Sequence, residues 1–154
     1  MSLSVWLAGL RFSHSIKRKM DVEDGLLELV DYIKKMICAG GFALFDIYHS
    51  FYDKRLDVNG FFDVLRQKDC DSLKNALLRI DEKTCDKDFL ELIKSFASNI
   101  GSCYNTDEAV TLCDKYLNLL KVYITPIRDN DKKREQMYSK LSFICACGLF
   151  VLCI

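Results

Sequence analysis

The residues best suited to chemistry are eight cysteines and two histidines, His14 and His49. A structural zinc site normally takes its ligands in pairs at short spacing, and no Cys-x-x-Cys pair occurs in this sequence. Cys38 and His49 could form a nucleophile and base pair, but neither lies in a recognisable catalytic motif. We therefore expect no catalytic residue, no metal site and no cofactor, and we interpret most thiols as small apolar side chains.

The cysteine count leaves open whether the thiols are paired or free. A secretory signal peptide carries its positive charge before its apolar stretch. Here Arg11 and the cations at residues 17–19 follow the apolar stretch at residues 1–10. We therefore expect free thiols in a reducing compartment. A thiol-based redox protein remains an alternative function, because one activated cysteine would fit this composition.

Other patterns for binding or acid–base chemistry are weak. Gly40 and Gly41 lack the spacing and the following Lys-Ser/Thr of a phosphate loop. Acid pairs such as Asp86 and Asp88 stand two residues apart, so on a helix they would point to different faces. Lysine plus arginine and aspartate plus glutamate number 22 each, and this balance argues against a nucleic-acid partner.

The elements that must position these residues are predicted to be helices. One proline and seven glycines supply few turn signals. Apolar residues recur at helical spacing in successive segments, which predicts an all-α bundle of five or six helices. The second helix is expected at about residues 42–54, and Pro126 should kink or break the last helix. These segments begin near Leu26, Phe42, Phe61, Leu73, Phe89 and Val110.

Polar residues with cap chemistry mark the expected helix starts, since their side chains can accept from unpaired backbone N–H groups. Asp71 can cap the fourth helix, and Thr84 or Asp86 the fifth. Asn105 or Thr106 can cap the sixth, which carries acids in its first turn.

The most apolar stretch is LSFICACGLFVLCI at residues 141–154, where Ser142 is the clearly polar residue. With Met137 and Tyr138 added, and Lys140 extending toward the headgroups, a helix here covers about 27 Å of the ~30 Å hydrocarbon core. A buried core helix is the alternative, but such a helix in a small domain should carry a polar stripe. Eight residues each favour insertion by about 0.3–0.6 kcal/mol and form the predicted membrane anchor: Leu141, Phe143, Ile144, Leu149, Phe150, Val151, Leu152 and Ile154.

Cations before this stretch predict its topology, because positive residues stay on the cytoplasmic side. The topology-setting cations are Lys132, Lys133, Arg134 and Lys140. The predicted architecture is thus a cytoplasmic helical bundle whose long C-terminal helix runs into a membrane anchor. Its parts are an apolar N-terminal remnant with a basic flank at 1–20, a cytoplasmic helical domain at 21–136 and a transmembrane anchor at 137–154.

Three segments carry a family likeness. QMYSKLSFICACGLFVLCI at residues 136–154 has a Met-Tyr pair, a basic residue and a closing apolar run. SFASNIG at residues 95–101 precedes a long helix, and residues 26–51 place a helix before a small-residue turn. Together these segments resemble the stage III sporulation protein AB family of endospore-forming bacteria. Ala97 and Ser142 stand where that family usually has glycine, and its usual first transmembrane helix would survive here as a remnant.

The resemblance implies a cytoplasmic helical domain similar to the platform protein of type II secretion and type IV pilus machines. It implies a non-enzymatic, membrane-anchored subunit of the channel between mother cell and forespore, located in the mother-cell membrane. Expected partners are a stage III sporulation protein AA-type ATPase, other channel subunits and membrane lipid, but no nucleic acid. A tail-anchored helical adaptor, or the thiol-based redox protein, is the alternative function.

Overall fold

The computed structural model describes the backbone of residues 2–40 and 43–152. It describes the side chains of residues 15–40, 43–130, 133, 134, 136, 137 and 140. The described backbone forms helices and no strand, which confirms the all-α prediction. The α-helices are α1 (Ser2–Gly40), α2 (Leu44–Ser50), α3 (Phe61–Leu65), α4 (Ser72–Leu77), α5 (Lys87–Ile100) and α6 (Thr106–Leu152), with a 3-10 turn at Lys54–Leu56.

The two long helices, α1 and α6, pack against each other and run antiparallel. Lys34 Nζ lies 2.6 Å from Asp114 Oδ1, near the end of α1 and the start of α6. Further along the pair, Arg128 of α6 contacts Asp24 of α1. Because the position on α6 rises as the position on α1 falls, the helices have opposite directions. The α1–α6 pair is the central element of the bundle.

The short helices complete a core around the α1–α6 pair. α5 packs on α6 and α4, α3 packs on α4, and the 3-10 turn packs on α1. Gly25 permits that last contact, since a Cβ there would lie 2.8 Å from Cγ of Leu56. Burying each large apolar side chain contributes about 1.5–3 kcal/mol. The largest fully buried side chains are Phe61, Phe89, Phe96, Leu26, Leu29, Ile33, Ile47, Leu56, Leu65, Leu77, Ile93 and Leu120.

Two residues were predicted as possible caps for each of α5 and α6, and in each case one of them makes the cap bond. Asp86 caps α5, its carboxylate accepting from Asp88 N at 3.1 Å. Asn105 Oδ1 accepts from Glu108 N at 2.7 Å, and the Glu108 carboxylate accepts from the backbone before it. Asn105 therefore caps α6, and Glu108 binds the N–H of Tyr104, one residue before the position that a capping box uses. Asp71 precedes α4 but makes no side-chain cap bond.

The second helix is shorter than predicted. α2 ends at Ser50, and Phe51 has extended backbone angles (φ −79°, ψ 134°). The Ser50 hydroxyl donates to the carbonyls of Asp46 and Ile47, and such local bonds compete with helix continuation. The Asp53 carboxylate then accepts from Arg55 N at 2.9 Å and starts the 3-10 turn. Local polar bonds thus stopped a helix that the aromatic spacing extends to residue 54.

The sequence predicts that Pro126 kinks or breaks the last helix, and the structure shows no break. α6 continues through this residue from Thr106 to Leu152. Proline removes the donor to the carbonyl four residues earlier, at Val122, whose side chain is 75% exposed. Pro126 is itself exposed, so water can bond that carbonyl and the helix can persist.

Candidate functional site

The predicted membrane anchor at residues 137–154 begins within the last part of α6. In the part of the chain that the structure describes, no helix combines the length and the apolar character needed to cross a bilayer. Most of the predicted anchor side chains, and that of Lys132, lie outside the described residues, and nothing of Ile154 is described. The anchor residues whose backbone alone is described are Leu141, Phe143, Ile144, Leu149, Phe150, Val151 and Leu152. Lys133, Arg134 and Lys140 are exposed on α6. α1 and α6 run uninterrupted across the predicted domain boundaries at residues 20 and 137.

The described cysteines are free thiols in contrasting surroundings. Cys38 and Cys70 are exposed, Cys103 is half-buried, and Cys85 and Cys113 are buried. Burial raises the pKa of both Cys85 and Cys113 to about 12. Because the thiolate is the reactive form, both buried thiols are poor nucleophiles at neutral pH. Among the described residues, no group of three or more candidate ligands could hold a metal ion.

Charged side chains converge where α1, the start of α5 and the middle of α6 meet. The Asp86 carboxylate, which caps α5, accepts from the Tyr123 hydroxyl at 2.7 Å and from Lys19 Nζ at 3.1 Å. Lys19 belongs to α1 and Tyr123 to α6, so one carboxylate joins three helices. We call this cluster the polar junction; its members are Lys19, Glu23, Asp24, Asp86, Tyr123 and Arg128.

Glu23 is the buried member of the polar junction, with 3% of its surface exposed. Its Oε1 accepts from the backbone N–H of Asp86 at 3.1 Å. Burial raises the pKa of Glu23, and the opposing effects of that hydrogen bond and of Lys19 and Arg128 do not cancel it. The folded protein therefore resists ionisation of Glu23, and the backbone bond ties α1 directly to the start of α5.

Asp86 and Tyr123 titrate differently from Glu23 because they share hydrogen bonds. Burial by itself would raise the pKa of Asp86, but hydrogen bonds from Tyr123 and Lys19 outweigh it and lower that pKa. Burial, reinforced by the Asp86 carboxylate, raises the pKa of Tyr123. Asp86 is thus held as a carboxylate and Tyr123 as a neutral donor. The pair is an anchoring bond, since neither group is poised to exchange a proton near neutral pH.

Arg128 completes the polar junction by joining α6 to α1. It donates a hydrogen bond to Oδ1 of Asp24. Its Nε is buried, and no described atom accepts from it. Each of α1, α5 and α6 is therefore bonded through side chains to both of the others. The arrangement fixes helices, and its described members do not include a nucleophile paired with a base.

Sequence reasoning identified one member of this cluster, because Asp86 was one of two candidate caps for the fifth helix. Glu23 was missed, although a signal was present. It lies three residues before Leu26 and seven before Val30, at a core-facing position of α1. A charged residue at such a position predicts a buried charge that needs a partner. The partner itself could not be found, since Asp86 lies 63 residues further along the chain.

The fold and the site define a small all-α bundle in which a charged junction connects two long antiparallel helices to a short one. Comparison with protein-family models, with curated proteins and with solved structures gave no match to this chain.

Proposed function

We propose that this protein is a non-enzymatic, membrane-anchored subunit of a secretion-like channel complex of the sporulation type. The main domain lies in the cytoplasm of the mother cell and engages a stage III sporulation protein AA-type ATPase. The proposal comes from the sequence resemblance. The observation that supports its membrane part is the position along the helix backbone of Arg11 on α1 and of Lys140 on α6.

The Asp24–Arg128 contact gives a common reference point on the two helices. At 1.5 Å per residue, α1 extends about 33 Å beyond Asp24 to its start at Ser2. α6 extends about 36 Å beyond Arg128 to its end at Leu152. Because the helices are antiparallel, these two extensions point the same way and have nearly equal lengths.

The two extensions carry cations at similar distances from the Asp24–Arg128 contact. Arg11 follows Asp24 toward the start of α1 by about 20 Å, and Lys140 follows Arg128 by about 18 Å. Beyond these cations come the apolar residues 1–10 and 141–154. Cations at one level followed by two apolar helix ends are typical of a membrane boundary with the basic side in the cytoplasm. This register supports an anchor to which both helices contribute.

The low reactivity of the two buried thiols among the described residues supports a non-enzymatic role. Cys85 and Cys113, the buried thiols of the described bundle, have pKa values raised to about 12. The polar junction, the main charged cluster described above, bonds helices to one another. These features favour the platform role over the thiol-based redox alternative.

Membrane fractionation tests the anchor. A protein truncated after Met137 should move from the membrane pellet to the supernatant under conditions that leave integral proteins in the pellet. A finer test replaces Leu149 and Val151 with lysine, each at a cost of about 2.5–3.5 kcal/mol at mid-bilayer. The matched control places lysine at Leu119 and Val122, which are exposed on the same helix. If the truncated protein stays in the pellet, residues 138–154 do not hold the protein in the membrane, and the C-terminal anchor proposal is wrong.

Affinity capture tests the partner. Full-length protein in detergent should retain the AA-type ATPase encoded by the same genome, with a detergent-solubilised unrelated membrane protein as control. A helical adaptor for some other protein would fail to retain it. Failure of capture together with intact membrane fractionation would remove the ATPase from the proposal and leave the anchor.

A further inference from the structure

The apolar seam between α1 and α6 does not by itself specify how the helices align. The buried residues of α1 are mostly Val, Leu and Ile, and sliding one helix by a turn of about 5.4 Å would again bring apolar side chains together. In helix pairs with such seams, polar side chains at single positions commonly set the register. The buried apolar residues are Val22, Leu26, Leu29, Val30, Ile33 and Ile37 on α1, and Ala109, Cys113, Tyr116, Leu117, Leu120 and Ile124 on α6.

The polar junction has the connections that such a device requires. Asp24 and Arg128 join α1 to α6, while Lys19 and Tyr123 reach the same Asp86 carboxylate from the two helices. A slide of one turn would separate the Asp24–Arg128 contact together with the bond to Asp86 made by whichever helix moves, Lys19 on α1 or Tyr123 on α6. Because Asp86 is held as the cap of α5, that helix acts as a fixed reference for both long helices.

We propose that the polar junction is a register lock that sets the sliding position of α1 against α6. Its consequence rests on the proposed function, since the locked register is the one that levels Arg11 with Lys140 for a membrane boundary. A shift of one turn would separate these cations by about 5 Å and tilt or withdraw one apolar end. The polar bonds thereby set the sliding position of the two helices, which the apolar seam by itself does not determine.

Site-specific photo-crosslinking reads the register directly. A benzophenone amino acid replaces Ile127, which is half-buried on α6 beside Arg128. In detergent-solubilised full-length protein, mass spectrometry should locate the crosslink in one window of α1 around Asp24. The triple variant Lys19→Met, Asp24→Asn and Tyr123→Phe retains the Asp86 cap. Its crosslinks should spread along α1 by about one turn, roughly 3.6 residues.

The control and the alternative variant keep the test decisive. Asp31→Asn removes an ion pair within α1, to Lys35, and should leave the crosslink window unchanged. If the triple variant loses its helical circular dichroism, the charge exchange Asp24→Arg with Arg128→Asp decides instead. Either single reversal should broaden the window and the exchange should restore it.

A folded triple variant that crosslinks in the wild-type window would overturn the register lock. So would single reversals that leave the window unchanged, or an exchange that does not restore it. This readout needs neither a bilayer nor a partner. The failure of the lock is therefore distinct from the failure of the proposed function, which appears as unchanged membrane fractionation after truncation.

Discussion

Arg128 of α6 donates a hydrogen bond to Asp24 of α1, a residue 104 positions earlier in the chain. The two side chains are 24% and 36% exposed, and exposed ion pairs contribute about 0–1 kcal/mol to stability. The value of this contact therefore lies in specificity, because it selects one alignment of two long helices. The contact lies between the core of the bundle and the basic ends of α1 and α6. The alignment that it selects therefore also sets the relative level of those two ends.

Replacing Glu23 with glutamine should remove the loss of stability that this acid contributes as pH rises. Burial raises the pKa of Glu23 above its ordinary 4.5, so the folded protein favours the protonated acid. That contribution is fully present below pH 4.5 and is lost as pH rises through the folded-state pKa. Glutamine keeps an oxygen that can accept from Asp86 N and cannot titrate. Urea unfolding should therefore show the variant gaining on wild type as pH rises; parallel pH profiles would contradict the assignment.

Replacing Asp86 with asparagine should have the opposite pH signature. Hydrogen bonds from Tyr123 and Lys19 lower the pKa of Asp86 despite its burial. Its contribution is present above the unfolded-state pKa and is lost as pH falls through the folded-state value. Asparagine is also a good N-cap, so the start of α5 should survive the change. The variant should be less stable than wild type at neutral pH and approach it in acid. A deficit that stays constant with pH would indicate a purely steric effect.

Two adjacent leucines of α6 should respond very differently to truncation. Leu120 has 0% exposure in the core, whereas Leu119 is 43% exposed. Leu120→Ala should lower the free energy of unfolding by about 2–5 kcal/mol, because it removes buried surface and leaves a cavity. Leu119→Ala should change it by less than about 1 kcal/mol. Chemical denaturation of the two variants measures both values, and equal losses would mean that α6 faces the core differently.

Thiol alkylation should separate the cysteines by burial. Cys38 and Cys70 are exposed, whereas Cys85 and Cys113 are buried with pKa values raised to about 12. At neutral pH the buried pair should react more than about 100-fold more slowly, since both access and thiolate fraction are reduced. Mass spectrometry after timed alkylation gives each rate. A buried thiol that reacts first would favour the redox alternative over the platform role.

Replacing Pro126 with alanine should stabilise α6. Proline in a helix interior is about 3 kcal/mol less favourable than alanine, and this is the upper limit of the gain. The substitution restores an N–H donor to the Val122 carbonyl on the exposed side of the helix. Thr125→Ala is the neighbouring control, in which a side-chain bond to the Lys121 carbonyl is lost. The midpoint temperature of thermal unfolding should rise for Pro126→Ala and change little for Thr125→Ala. A lower midpoint for Pro126→Ala would show that the proline ring stabilises α6.

Cap chemistry illustrates how far local rules reach. Thr84 and Asp86 were both candidates for the start of α5, and both have suitable side chains. The structure selects Asp86, whose carboxylate also accepts bonds from α1 and α6. Local preference restricts the cap of α5 to two residues. Of these, Asp86 makes the cap bond, and it is also the one that residues of distant helices contact. The same holds for Asn105 against Thr106, because the Asn105 side chain accepts from Glu108 N while the Glu108 carboxylate accepts from Tyr104 N.

The sequence by itself determined that this protein is all-helical, because apolar spacing and scarce turn residues act over a few positions at a time. It also determined which stretches of α1 and α6 are basic and apolar. The tertiary structure alone decided that Glu23 meets the backbone of Asp86 and that Asp24 meets Arg128. Such pairings depend on how long helices align across a largely apolar seam, and no local pattern encodes that alignment.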